Sequence, residues 1–359
     1  MKRRRLVLLA GVAMLATLGV ALVTVASAAP GSPGDPVKGQ YIFSANGGCG
    51  CHGANLAGYN SSGAPFAEAF SGPFGTVYPR NITSDKDTGV GNWTDAQLIT
   101  AIRNGVDDEG QLLFPDMPYM AFHFMSDADV ANLVAFLRTV PAVSNKVPDD
   151  QLNIPRPPVP PLPPSPATSP AGGVARGRYL VTAVSICNDC HTPTNAQGAP
   201  DMSKMLAGQV IPAGTLEVAP NITPSNANGI GYWTPQNIVT YLKQGSGPNG
   251  RLADGLMGHQ VAGGYRGLGY NQFTDADALA IASYLKTIPA VSSVPKVPPA
   301  EGAAATATAP WEAQFQAAHG RAPTAQDIAD RNWSLDFLAK NGRQPSEADW
   351  MVHWRQSQP

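Results

Sequence analysis

The sequence predicts an all-α protein: two tandem helical domains of one design, joined by a proline-rich linker and followed by a short helical tail. Three observations predict it. The chain repeats itself over most of its 359 residues. Apolar residues recur at helical spacing behind capping signals in both copies. The stretch between the copies is rich in proline, which suits an extended connector rather than a core.

The repeat is visible in three paired segments. "KGQYIFSANGGCGCHG" is answered by "ARGRYLVTAVSICNDCHT", "PRNITSDKDTGVGNWTDAQLITAIRNG" by "APNITPSNANGIGYWTPQNIVTYLKQG", and "MSDADVANLVAFLRTVPAV" by "FTDADALAIASYLKTIPAV". Self-similarity over this distance means whole domains used twice rather than solenoid turns. The boundaries read as 37–147 for the first domain, 148–172 for the linker, 173–297 for the second domain and 298–359 for a linker with a helical tail.

The elements follow in order. Residues 1–28 read as an export signal, with a basic start at Lys2, Arg3, Arg4 and Arg5, an apolar run from Leu6 to Val25 and a small-residue cleavage site at Ala26-Ser27-Ala28. The run is also long enough to span a bilayer if uncut, at about 20 residues. The segment is therefore either a cleaved signal or a membrane anchor through residues 6–25. Both readings export the rest of the chain, to the periplasm or the outer face of the cytoplasmic membrane. In each domain a short helix around Tyr41–Phe43 or Tyr179–Val181 leads into a cysteine pair. A middle helix follows Trp93-Thr94 or Trp233-Thr234. A last helix starts at Ser126-x-x-Asp129 or Thr274-x-x-Asp277, both capping-box patterns. Val130, Leu133, Val134 and Leu137 give that helix its core stripe. The tail carries two further capped starts, Thr324-x-x-Asp327 and Ser346-x-x-Asp349, with Trp311, Trp333, Trp350 and Trp354 around them. It either folds back on the domains or docks a partner.

Charged residues are 14% of the chain, with 37 Gly and 34 Pro, so loops are plentiful. The net charge of −2 carries no basic stripe, which argues against nucleic acid as a partner.

There are four cysteines: Cys49, Cys51, Cys187 and Cys190. Disulfides are one use for cysteines in an exported chain. The run Cys187-Asn188-Asp189-Cys190-His191 supplies another, because Cys-x-x-Cys-His is the attachment pattern for c-type haem. Two thiols must meet the two vinyl groups of one porphyrin, and the next residue must turn an imidazole onto the iron. A zinc ribbon would need a second cysteine pair nearby, and the other pair lies far upstream with a histidine of its own.

That first pair, Cys49-Gly50-Cys51-His52, is one residue short. The offset between copies is 187 − 49 = 138 at the first cysteine and 191 − 52 = 139 at the histidine, so the deletion falls between the cysteines. Residues two apart on a helix point in opposed directions, so this segment cannot be a regular helical turn and present both sulfurs. Gly47, Gly48 and Gly50 loosen the backbone. Attachment runs through two thioethers, or through Cys51 alone.

The sixth ligand should be a downstream Met or His. His52 to Met117 spans 65 residues and His191 to Met257 spans 66, so Met117 and Met257 correspond. Met120 aligns with Gln260 and Met125 with Phe273, which removes both from consideration. His123 and His259 are the fallback ligands.

With "CNDCH", the paired "NIT…G(V/I)G.WT" segments and "MPY…F..MSDADVANLVAFLRT" in place, the sequence resembles tandem class I-type cytochromes c. These are dihaem cytochromes c similar to the cytochrome subunits or partners of periplasmic dehydrogenases. The resemblance runs from Lys38 to Val297. It implies a small helical fold around each of two covalently bound haem c groups, His52/Met117 and His191/Met257 as axial pairs, and electron transfer as the role. It also implies redox proteins as partners, either a dehydrogenase or another cytochrome or oxidase. In such a fold Asn81, Thr83 and Trp93, with Asn221, Thr223 and Trp233, line the propionate edge; ordinary turn and core structure is the other reading. Arg80 would add a charge there, although Pro220 holds its place in the second copy. The rival function is a dihaem redox enzyme of peroxidase or thiosulfate-oxidising type. It needs an open iron position or a spare thiol, and all four cysteines are claimed. A module with one haem only is the third reading.

Overall fold

The computed structural model describes residues 34–60, 69–72, 74–114, 117–195, 199–211, 218–248, 252–253 and 255–293. The expected export signal and the tail lie outside the described residues. No described helix is long and apolar enough to cross a membrane.

The first half carries α1 (Pro36–Ala45), α2 (Asp95–Asn104), α3 (Tyr119–Phe122) and α4 (Asp127–Leu137). The second carries α5 (Gly173–Tyr179), α6 (Cys187–His191), α7 (Pro235–Gln244), α8 (Gly255–Ala262) and α9 (Asp275–Leu285). Local chemistry sets the starts. The Asp35 carboxylate accepts from the N–H groups of Val37 and Lys38, and Pro36 fills the first helical position. Thr94 with Gln97 and Thr234 with Asn237 close reciprocal capping boxes on α2 and α7. Gly105 and Gly245 end those helices in the left-handed conformation.

Each half is organised by the crossing of its first and last helices, α1 on α4 and α5 on α9. A glycine sits at each crossing. A Cβ on Gly39 would lie 1.8 Å from the Asn132 carbonyl oxygen, and one on Gly177 would lie 1.9 Å from that of Ala280. The helices touch backbone to backbone, which no other residue permits. α5 continues into a π-helical turn over Leu180–Val184, which redirects the chain toward the second cysteine pair.

The expectation of an all-α fold is corrected by the strands. Among the described residues helix makes up only 39%, and two antiparallel sheets are present. One orders β1 (Phe70–Gly72), β2 (Gly75–Val77) and β3 (Gln151–Leu152); the other pairs β4 (Gln209–Val210) with β5 (Val218–Ala219). The strands are too short to leave a period-two pattern in sequence. One of them, β3, comes from the proline-rich segment, pairing Gly75 with Leu152 and Thr76 with Gln151.

One apolar cluster runs through both halves, from Phe43, Val134 and Leu137 to Leu180, Val184 and Ile281. Phe43 is 0% exposed. Its ring meets Phe136 of its own half at 4.9 Å and Tyr265 of the other half at 5.8 Å. Phe43→Ala is expected to destabilise the protein by about 3–5 kcal/mol in denaturant titration; a cost under about 1 kcal/mol would refute this shared packing.

The halves also exchange tyrosines. The Tyr179 hydroxyl accepts from the Ser126 N–H at 3.0 Å and donates to Asp129 at 2.6 Å, so it closes the start of α4. Tyr41 mirrors it at α9, accepting from the Thr274 N–H at 3.4 Å and donating to Asp277 at 2.7 Å. The capping boxes expected at Ser126 and Thr274 are thus half local: each hydroxyl takes the N–H three residues on, and the acidic residue answers a tyrosine. Burial first, then the hydrogen-bonded Asp277 carboxylate, pushes the Tyr41 hydroxyl up from 10.0 to about 12 against the lowering pull of Thr274. The same two causes, with Asp129, raise Tyr179 further. A raised folded-state value means stability that is complete below pH 10.0 and lost as pH rises through about 12. The contact between halves is expected to open over that window, read by proteolysis of the connector. Tyr41→Phe should abolish the Tyr41 share of the pH step.

Candidate haem sites

Each motif is entered through a left-handed residue, whose position shows how the deletion is absorbed. In the second half Ile186 is left-handed (φ 44, ψ 41), and all of Cys187–His191 then forms one α-helical turn, α6. In the first half Cys49 itself takes the left-handed position (φ 51, ψ 44), and only Gly50–His52 turns, as a 3-10 helix. Gly47 and Gly48 before it are also at positive φ, 79 and 83. The first cysteine is moved out of the helical turn and the second is kept on it.

The thiols divide the same way in both motifs. Cys49 and Cys187 are half-buried against the shared core, and Cys51 and Cys190 are exposed. Burial pushes the Cys187 thiol up to about 12. It does the same to Cys49, with the neighbouring Cys51 adding to it. The Cys49 thiol donates to the Asn46 side-chain oxygen at 3.3 Å.

The histidines match still more closely. His52 Nδ1 lies 2.7 Å from the Arg80 carbonyl oxygen, and His191 Nδ1 lies 2.7 Å from that of Pro220. A carbonyl only accepts, so Nδ1 carries the proton and the lone pair is on Nε2, the tautomer a metal-binding imidazole needs. Burial lowers the His52 pKa, against the pull of the Arg80 carbonyl, which favours the neutral ring.

Met117 and Met257 are both half-buried and border the same apolar cluster as the buried cysteines. Their settings differ: Met117 lies in a loop just ahead of α3, while Met257 lies inside α8. Met120 is 53% exposed and Met125 is 1% exposed in the core. His123 is buried, with Nδ1 near the Arg103 carbonyl and Nε2 2.6 Å from the Pro163 carbonyl. His259 is buried in α8.

The residues expected at a propionate edge fall into two groups. Asn81 is buried; its amide donates to Thr88 and the Val143 carbonyl, and its oxygen accepts from Thr83. Asn221 repeats the pattern with Asn228, Val291 and Thr223. These asparagines pin the chain that follows the last helix of each half. Trp93 and Trp233 belong to the core lining; Trp233 meets Tyr241 edge-on at 5.3 Å. Arg80 is bound to Asp150 at 2.9 Å and to the Pro148 carbonyl. Tyr270 was not legible as a site residue. It is 4% exposed, donates to the Ser185 carbonyl at 3.2 Å, and its hydroxyl is pushed well up by burial and by Cys187 and Cys190 beside it. It has no tyrosine partner in the first copy, so the repeat gave no signal.

The donor set fits haem c. Each half offers two thiols, an imidazole with its lone pair on Nε2, and a thioether beside an apolar wall, the soft and nitrogen donors of a low-spin haem. Among the described residues no three His, Cys, Asp or Glu side chains converge as a bare ion site.

Comparison with known proteins agrees. The cytochrome c family model matches residues 36–141. The cytochrome subunit of a fructose dehydrogenase from Gluconobacter japonicus is 35% identical over 70% of this chain and 52% of the subunit. The cytochrome c subunit of a quinone alcohol dehydrogenase from Gluconacetobacter polyoxogenes is 35% identical over 74% of this chain and 57% of the subunit. The chain thus spans little more than half the length of those subunits. A dihaem cytochrome c-type protein of Cereibacter sphaeroides is 34% identical over 301 residues, which are 77% of this chain and 98% of that protein. With the haem-type donor set present in both halves, this match across nearly the whole of a dihaem relative shows that the chain belongs to the dihaem c-type cytochromes and is an electron-transfer protein.

Proposed function

We propose that each half holds one haem c and that the pair relays electrons from a dehydrogenase to an acceptor on the outer side of the cytoplasmic membrane. The observation that carries it is the repeated histidine geometry, Nδ1 at 2.7 Å from a backbone carbonyl in both halves. Haem c supplies a reversible one-electron iron couple. The chain's residues do the rest. Cys49 and Cys51, and Cys187 and Cys190, would hold the haem by thioethers, each S–H adding across a vinyl group without an oxidant. The like division of buried and exposed thiols supports two thioethers at the shortened motif as well. His52 and His191 would ligate the iron through Nε2, and Met117 and Met257 would supply the thioether ligands. A methionine sulfur raises the reduction potential, which suits an acceptor of electrons from a substrate-oxidising partner. Trp93 and Trp233 stand by the apolar wall with indole N–H groups suited to a propionate.

The dehydrogenase partner is proposed from the fructose and alcohol dehydrogenase subunits among the relatives. Export is proposed from residues 1–28. A pyridine haemochrome assay combined with intact mass is expected to give two haems per chain and no free thiol. One haem per chain would overturn the paired reading, and one unreacted cysteine would leave a single thioether at Cys51. Electron uptake from a quinone-type alcohol or sugar dehydrogenase, followed by stopped-flow reduction, tests the partner; no reduction by either would reject it.

A further inference from the structure

The proline-rich segment is bonded to the first half on both sides of Met117. Ahead of the methionine, Arg156 donates to the Leu112 carbonyl at 2.9 Å and pairs with Asp150 at 2.6 Å. Behind it, His123 Nε2 donates to the Pro163 carbonyl at 2.6 Å. Arg103 then joins the Met125 carbonyl, Asp127 at 2.6 Å and the Pro166 carbonyl at 3.4 Å, and the Asp127 N–H also reaches Pro166 at 3.2 Å. His123 is 5% exposed and Arg103 is buried, so the bonds behind the methionine are largely shielded from water, where losing a partner costs most.

The second half holds its methionine differently. Met257 is the third residue of α8, so its backbone is part of an eight-residue helix. Met117 precedes α3, a helix of one turn whose start has no side-chain cap. A ligand on a loop needs outside support to keep the geometry a metal bond requires. The connector is bonded to the chain on both sides of that loop.

We propose that His123, acting through Pro163, is a positioning residue for the Met117 sulfur, with Arg156 at Leu112 as the second anchor. The sixth ligand of the first haem then depends on the connector between the halves, and that of the second haem does not. This rests on the reading of Met117 as an axial ligand.

The test uses the full-length dihaem protein and reads the weak far-red charge-transfer band of Met-ligated ferric haem, together with the two reduction potentials. Met117→Ala comes first. Loss of half the band supports Met117 as ligand; an unchanged band sinks that reading, and this proposal with it. His123→Ala is then expected to lose most of the same half and to lower one potential only, with the Met257 half intact. His123→Gln, which keeps an N–H for the Pro163 carbonyl, should restore much of both. Arg156→Ala, at a half-exposed side chain that packs no core, should weaken the same half-band and keeps the test open if His123→Ala does not fold. A full band and unshifted potentials in both His123→Ala and Arg156→Ala would overturn the positioning role while leaving Met117 as ligand. Equal loss at both haems would overturn it too, as general destabilisation.

Discussion

Gly177→Ala is expected to unfold the second half, and Gly39→Ala the first. Alanine is a better helix former than glycine by about 1 kcal/mol, so on an exposed helix either change would stabilise. Here the sign reverses. The new methyl would lie 1.9 Å from the Ala280 carbonyl oxygen and 2.8 Å from the Tyr284 Cβ in one crossing, and 1.8 Å from the Asn132 carbonyl oxygen and 2.8 Å from the Phe136 Cβ in the other. The nearest obstacle is backbone, so no side chain can turn aside. The helices must separate, and overpacking costs about 1–3 kcal/mol or more even where side chains can adjust. Separating α5 from α9 also opens the packing of Leu180, Ile281 and Leu285, all buried. A domain stable by about 5–15 kcal/mol has little margin for that. Thermal melts and haem content per chain check it. A melting temperature equal to or above that of the parent would show that the helices do not cross as described.

The second large effect is at the methionines proposed as axial ligands. Met117→Ala and Met257→Ala should each remove half of the far-red band and lower one potential, because thioether sulfur favours the reduced iron. The double variant should lose the band entirely and open both irons to small ligands such as cyanide. Met120→Ala, at an exposed side chain, should change neither band nor potential. Retention of the full band in Met257→Ala would exclude that residue as ligand. His259, buried on the same helix, would then be tested next.

Much of this was legible in the sequence because the chain carries two copies of it. Comparison of copies located the missing residue between Cys49 and Cys51, selected Met117 over Met120 and Met125, and marked the helix starts at Thr94 and Thr234. Features that differ between the copies were not legible. The tyrosine exchange depends on how the halves meet, which no single copy encodes. β3 lies in a segment whose prolines suggested only a spacer, yet Asp150, Gln151 and Arg156 within it bind the first half. The strands escaped notice because two or three residues are too few to alternate visibly. The resemblance implied a haem edge for the recurring asparagines of the "NIT" segments, with ordinary turn structure as the other reading. Their bonds to Val143 and Val291 supply a structural reason for the same recurrence.

The tyrosine exchange bears on how such a protein is inherited. Tyr41 completes a helix start encoded more than two hundred positions downstream, and Tyr179 completes one encoded upstream. A deletion that returned the gene to one copy would leave the survivor with Asp129 and Ser126, or Asp277 and Thr274, facing an empty place. Each lost hydrogen bond costs about 0.5–1.5 kcal/mol once water takes the tyrosine's place, before any exposure of the apolar surface between the halves. Duplication followed by this exchange works as a ratchet: each copy is free to diverge in its cysteine spacing or its methionine support, and neither is free to leave.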